Sequence, residues 1–127
     1  PAEPFQCGVR AIHALKPANA KHTHTFVHVA LIFGGMDLCP PCRSRVRELD
    51  LRTGIAEFDE SCKPLSFQVN AGDIPKGTRI TFTVYTTELN SDNAVPEAVA
   101  WGSVQIFDWN ERYVSGERQL RLWPGAA

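Results

Sequence analysis

Along most of this chain oily and polar residues alternate with a period of two. In "PLSFQVNA" Leu65, Phe67, Val69 and Ala71 alternate with Ser66, Gln68 and Asn70. In "TRITFTVYT" Ile80, Phe82 and Val84 alternate with Thr81, Thr83 and Tyr85. Successive side chains of a strand point to opposite faces, so each run predicts a strand with one buried and one wetted face, as in antiparallel sheets. Threonines are good strand formers, which suits the outer face of the second run. "FQCGVRAIHAL" predicts another strand, with Phe5, Cys7, Val9, Ala11 and Leu15 on one side and His13 on that apolar side too. "TFVHVALIF" is apolar on nearly both faces and predicts a central strand over residues 25–33, with His28 inside it. "AVAWGSVQIF" and "ERQLRLW" complete the set, the latter with Leu120 and Leu122 inward and Arg121 outward.

Turn chemistry separates these runs at Lys16-Pro17, Gly34-Gly35, Gly72-Asp73, residues 90–96 and Ser115-Gly116. No long amphipathic helix interrupts them. "RSRVRELDLR" fits two patterns: Val46 and Leu49 have helical spacing, whereas a strand would throw Arg43, Arg45 and Arg47 to one face. Six to eight short strands with turns between them predict an all-β fold, an antiparallel β-sandwich formed by one domain over residues 1–127.

Composition narrows the function. A chain of 127 residues can close one hydrophobic core, and its 43% hydrophobic and 21% charged residues suit a globular domain. The net charge of −1 speaks against a nucleic-acid partner. No apolar run approaches the ~18 residues of a membrane span. "PAEPFQCGVR" has no signal-peptide pattern, and a start at Pro1 suggests a piece of a longer polypeptide. Cys7, Cys39, Cys42 and Cys62 are expected as thiols in a reducing compartment, the alternative being two disulfides of a secreted adhesion-type sandwich.

Little here suits catalysis. Cys39-Pro-Pro-Cys42 has the spacing of a metal or redox pair, and His22 and His24 would complete four soft ligands for zinc. Their order matches no standard finger, and the pair follows a Gly-Gly turn instead of opening a helix, so two loop cysteines stiffened by proline are expected. Ser103 and Ser115 have no evident His and Asp partners, and no phosphate loop or metalloprotease motif occurs. No catalytic residue and no metal ligand is therefore assigned. Positive charge is the better candidate. Arg43, Arg45 and Arg47 on a strand face, with Lys16 and Lys21 in a basic loop, form a candidate surface for anionic lipid. Each such group contributes ~1 kcal/mol at an anionic membrane, so three alone bind weakly. The alternative is a solvated face balanced by Glu48, Asp50 and Glu57.

Three islands carry a resemblance. Ala100-Trp101-Gly102, Phe107-Asp108-Trp109, Val114-Ser115-Gly116 and Leu122-Trp123-Pro124 are similar to the closing strands of the C2 domain of phosphoinositide 3-kinases. Gly34-Gly35-Met36-Asp37-Leu38-Cys39 resembles that family's Gly-Gly-x-x-Leu-Cys turn, and "FQVNAGDIPKGTRITFTVY" its strand, Asp-Leu-Pro turn and strand. "NAVPEAVAW" is similar to class II enzymes and "AWGSVQIFDWNERYVSG" to class I catalytic subunits. Phe58-Asp59-Glu60 departs from the family's Trp-Asn-Glu-Trp motif.

The resemblance implies an eight-stranded C2-like β-sandwich, a non-catalytic module of a larger lipid kinase. It implies a parent enzyme that phosphorylates the 3-hydroxyl of phosphatidylinositol lipids using ATP and Mg²⁺. Its partners would be the other domains of that kinase, a regulatory subunit and the anionic phospholipid membrane, in the cytoplasm and at the membrane periphery. Trp101, Trp109 and Trp123 would close the sandwich end and pack against neighbouring domains. Calcium is not expected: the first loop, "KPANAKHTHT", has no carboxylate, and the third offers only Glu88, Asp92 and Glu97 to an ion that wants six to eight oxygens. The rival expectation is a free-standing, calcium-dependent phospholipid-binding C2 protein.

Overall fold

The structure is a computed structural model that describes residues 3–58, 64–89, 93–108, 110, 112 and 118–126. The expectations for Cys62, Asp59-Glu60, Asp92, Trp109 and Val114-Ser115-Gly116 lie outside the described residues. The strands are β1 (Pro4–Cys7), β2 (Ala11–Ile12), β3 (His24–Phe33), β4 (Met36–Asp37), β5 (Cys42–Arg43) and β6 (Arg47–Glu48). They continue with β7 (Ala56–Glu57), β8 (Leu65–Asn70), β9 (Arg79–Thr87), β10 (Glu97–Gln105) and β11 (Trp123–Pro124). A single 3-10 turn at Ala71–Asp73 is the one helical element among the described residues.

All pairings are antiparallel. The main sheet runs β11-β10-β9-β3, and the far edge of β3 is covered in succession by β4, β5 and β6. Two small sheets, β1-β8 and β2-β7, complete an architecture compatible with a C2-like sandwich. The described residues form eleven strand segments where eight were expected. One expected run is broken, residues 5–15 splitting into β1 and β2, and residues 36–48 form three short pieces along β3.

Register decides which face is inside. β3 and β9 align Val27 with Val84, Val29 with Phe82 and Leu31 with Ile80, and β9 and β10 align Val84 with Ala100 and Ile80 with Val104. Val27, Val29, Leu31, Ile80, Val84 and Ala100 are buried, together with Phe58 and Phe67 from the facing elements. Each large side chain so buried stabilises the fold by about 1.5–3 kcal/mol. Gly34 and Gly35, both at positive φ (61° and 78°), form the two-residue turn between β3 and β4, a shape that matches strand twist and that glycine adopts without penalty.

Three expectations change. β2 ends at Ile12, which is buried, so the phase of residues 5–15 flips and His13 is exposed, not apolar-facing. The polar face of β9 is far from wet: Thr83 and Thr87 are buried, because β9 lies between β3 and β10 and both neighbours cover it. Trp101 and Trp123 do not fill the sandwich end. With Ala100 and Gly102 facing in, Trp101 between them faces out, half-buried opposite Thr83, and Trp123 pairs with it at 48% exposure. Phe107 is buried in the core, as expected.

Candidate functional site

One end of the molecule is built from three loops, because β3, β6, β9 and β10 all start or stop there. His24 at the start of β3 lies opposite Glu48 and Thr87, and Glu97 opens β10 opposite Thr86. The end therefore carries residues 13–23, the turn at 49–55, and, among the described residues, 88–89 and 93–96.

The first loop is held by a buried imidazole. Asn19 Nδ2 donates to His22 Nε2 at 3.2 Å, so Nδ1 carries the proton and donates to Thr86 Oγ1 at 2.8 Å. Thr86 Oγ1 also accepts the Ala18 N–H at 3.1 Å, and Asn19 Oδ1 accepts the Lys21 N–H at 2.9 Å. Lys16 and Lys21 are thereby exposed on a loop tied to β9. The second loop is tied to the first by the Leu15 N–H, which donates to Gly54 O at 2.8 Å. Within it Asp50 Oδ1 accepts the N–H groups of Arg52 and Thr53 at 2.9 and 3.3 Å. These two donors hold the Asp50 carboxyl below its ordinary range. The turn they make puts Leu51 out at 56% exposure, beside exposed Arg52. The third loop exposes Leu89 (50%) and Val95 (71%).

Lys16, Lys21 and Arg52 thus share an end with three exposed apolar tips. Sequence reasoning missed Leu51, Leu89 and Val95. Their signal was an oily residue inside turn chemistry: Asp50-Leu51-Arg52-Thr53-Gly54, and Leu89 and Val95 either side of residues 90–94.

The three arginines do not share a face. Arg43, on β5, lays its guanidinium over the buried Phe26 ring, 4.4 Å from the centroid, and Phe26 stacks on Tyr85 at 5.1 Å and 9°. Arg45 is exposed between strands. Arg47 is half-buried and turned inward, its Nη2 donating to Phe58 O at 3.2 Å, while its Nε is buried and meets no partner among the described residues. The chain breaks pairing between β5 and β6, which resets the alternation; a continuous strand would have kept it.

The outer face of the main sheet forms a second surface. Across it run Phe26 and Tyr85 in one row and Arg43, His28, Thr83, Trp101 and Trp123 in the next, with Arg43 reaching diagonally over Phe26. Arg121 lies 4.7 Å from the Trp123 ring. Aromatic rings of this kind present large area with few rotatable bonds.

The histidines expected as possible zinc ligands are elsewhere engaged: His22 as above, and His24 Nδ1 with Thr23 Oγ1 at 2.8 Å. Cys42 lies opposite Val29, well along β3 from His24, and no group of three metal-ligating side chains occurs among the described residues. A cleft of about 870 Å³ opens where β2 approaches residues 119–124; Val27, Val84, Ala100, Leu120 and Leu122 line it, so its walls are largely core side chains.

Comparison with known proteins agrees with this geometry. The family model for the phosphoinositide 3-kinase C2 domain matches residues 21–127. The human phosphatidylinositol 4-phosphate 3-kinase C2 domain-containing subunit beta is 25% identical over 109 residues, an alignment covering 78% of this chain. The same alignment covers 6% of that relative, so the chain spans a small part of its length. With an antiparallel all-β fold and a family match over most of its length, this chain belongs to the phosphoinositide 3-kinase C2 domain family.

Proposed function

We propose that this domain is a non-catalytic, calcium-independent membrane-association module of a phosphatidylinositol 3-kinase, docking on anionic phospholipid through its three-loop end. The observation that carries this reading is the sharing of one end by Lys16, Lys21 and Arg52 with the exposed tips Leu51, Leu89 and Val95. Basic groups contribute ~1 kcal/mol each near an anionic surface, and burying an aliphatic tip adds about 0.8 kcal/mol per CH₂. Together these make a weak, reversible and salt-sensitive anchor. Arg43 and Arg45 lie on the sheet edge and add to the field, while Arg47 serves the fold.

The parent reaction, transfer of phosphate from ATP to the 3-hydroxyl of phosphatidylinositol lipids with Mg²⁺, belongs to other parts of such a kinase. In the cytoplasm the domain would sit at the membrane periphery. A second role is supported by the outer face: Trp101 and Trp123, paired and partly exposed, offer a packing surface for another domain of the kinase or a regulatory subunit.

Co-sedimentation tests the membrane reading. The chain should pellet with vesicles containing phosphatidylserine and phosphoinositide more than with phosphatidylcholine alone, equally in calcium and in chelator. Serine at Leu51, Leu89 and Val95 together should abolish the difference without lowering the melting temperature. Equal pelleting on both vesicle types would refute it, and binding only in micromolar calcium would favour the free-standing calcium sensor.

A further inference from the structure

The row that crosses the outer face of the main sheet has an arginine at each end. Register carries it from Arg43 on β5 through His28, Thr83 and Trp101 to Trp123 on β11. The Arg43 guanidinium lies over the Phe26 ring, 4.4 Å from its centroid, and the Arg121 guanidinium over the Trp123 ring at 4.7 Å. Both arginines are exposed, and among the described residues neither meets a carboxylate. A third exposed arginine, Arg79 on β9, donates from Nε to Ser103 Oγ at 3.1 Å, on the face that Trp101 shares.

The centre of this face has no acid of its own to answer the charge. No outward position of β3, β9, β10 or β11 holds an aspartate or glutamate, and Glu97, which opens β10, opposes Thr86 in the inward phase. Asp37 and Glu48 lie at the β3 edge opposite Ile32 and His24, each about 13 Å along the strand from His28 and so from the row. A guanidinium stacked on a ring has its plane fixed and its N–H edge free, so it takes a carboxylate with little further loss of freedom. Span decides what kind of anion fits. Four strand-to-strand steps separate Arg43 from Trp123, roughly 19 Å in all. One phospholipid headgroup is too small to bridge that distance, whereas about six extended residues of polypeptide cover it.

We infer that this row docks an acidic polypeptide segment, with two carboxylates about six extended residues apart taken by Arg43 and Arg121 and an apolar centre laid on Trp101 and Trp123. The inference rests on the reading of Trp101 and Trp123 as a packing surface for another domain or subunit, and adds the chemistry of what packs there. Binding energy at such surfaces concentrates on tryptophan and arginine, so the two rings hold the segment. The arginines steer its approach and set its direction across the strands, and a basic segment would meet three arginines without a counter-charge in reach.

A random-peptide display library selected on the folded chain supplies the probe. Peptides enriched on the parent and depleted on Arg43→Glu/Arg121→Glu should carry aspartate or glutamate on both sides of an apolar centre. The affinity of one labelled peptide, read by fluorescence anisotropy, should fall about tenfold for either single reversal and for Trp101→Ala, and should weaken as salt rises. Arg45→Glu, exposed but off the row, should leave that affinity within about twofold. A melting scan accompanies each variant; if Trp101→Ala melts early, Trp123→Ala, at 48% exposure, reads the same contact. Affinity lost in the tryptophan variant but kept in both reversals would overturn the acidic partner and leave the packing surface standing. Selected peptides indifferent to the tryptophans and to both arginines would overturn the two readings together. Loss of vesicle pelleting in Arg43→Glu/Arg121→Glu, with peptide binding unchanged, would also overturn the inference and give this face to the membrane.

Discussion

Gly102 sits between Trp101 and Ser103 on the inner face of β10, and no side chain fits there. A Cβ built at this position would stand 2.9 Å from Leu120 Cδ2, 3.0 Å from the Arg121 carbonyl oxygen and 3.1 Å from Leu120 Cγ. The Leu120 contacts are with a side chain that can rotate; the Arg121 oxygen belongs to the backbone and cannot move without carrying residues 119–124 along. Gly102→Ala should therefore displace the closing segment and with it the Trp101–Trp123 pair. Overpacking of this kind costs about 1–3 kcal/mol. At roughly 2.1 cal/mol/K per residue, the unfolding entropy of 127 residues is about 0.27 kcal/mol/K, which converts that cost to a fall in Tm of about 4–11 °C. Differential scanning calorimetry on the variant reads the fall directly, and tryptophan fluorescence should red-shift as the pair is exposed. Gly72, whose Cβ would meet nothing within 4 Å, is the control, and Gly72→Ala should change Tm little. Equal melting temperatures for Gly102→Ala and the parent would refute the close-packing argument.

Arg47→Ala should destabilise by about 1–2 kcal/mol in urea titration, through the lost bond to Phe58 O and the lost packing of its stem, while Arg45→Ala stays within about 0.5 kcal/mol; equal effects would mean that Arg47 is not turned inward. His22→Ala should cost about 1–3 kcal/mol and raise proteolysis within residues 16–23, since it removes the tie to Thr86; an unchanged cleavage rate would show that the loop is held by other contacts. Cys39 and Cys42 have raised pKa values in the fold, so their contribution is complete below the unfolded thiol value of about 8.5 and is lost as pH climbs through the folded values. The parent should thus lose more stability between neutral and alkaline pH than the Cys39→Ser/Cys42→Ser variant, under reducing conditions; parallel curves would remove the thiols from the alkaline limb.

The amino-acid order by itself determined the all-β class. The periods in residues 64–71, 78–86 and 98–107 are local facts, since a strand's two faces are set by alternation alone, and each became a strand within two residues of those bounds. The family was also legible, because its turns and closing aromatics depend on local conformation. What failed was whatever depended on a neighbour. Thr83 and Thr87 alternate like a wetted face, but a central strand has covered edges and a covered outer face, and only strand order says which strand is central. Arg43, Arg45 and Arg47 alternate like one face, yet the pairing of the edge segment with β3 is interrupted between β5 and β6, and each interruption can restart the phase. The three-loop end is the clearest case. Leu51 is far in the chain from Leu89 and Val95, and all three are far from Lys16 and Lys21; only antiparallel pairing of β6, β9 and β10 around the start of β3 gathers them at one end. Periodicity is a property of the chain, whereas adjacency is fixed by which strand edges hydrogen-bond, and that is decided only when the whole sheet forms.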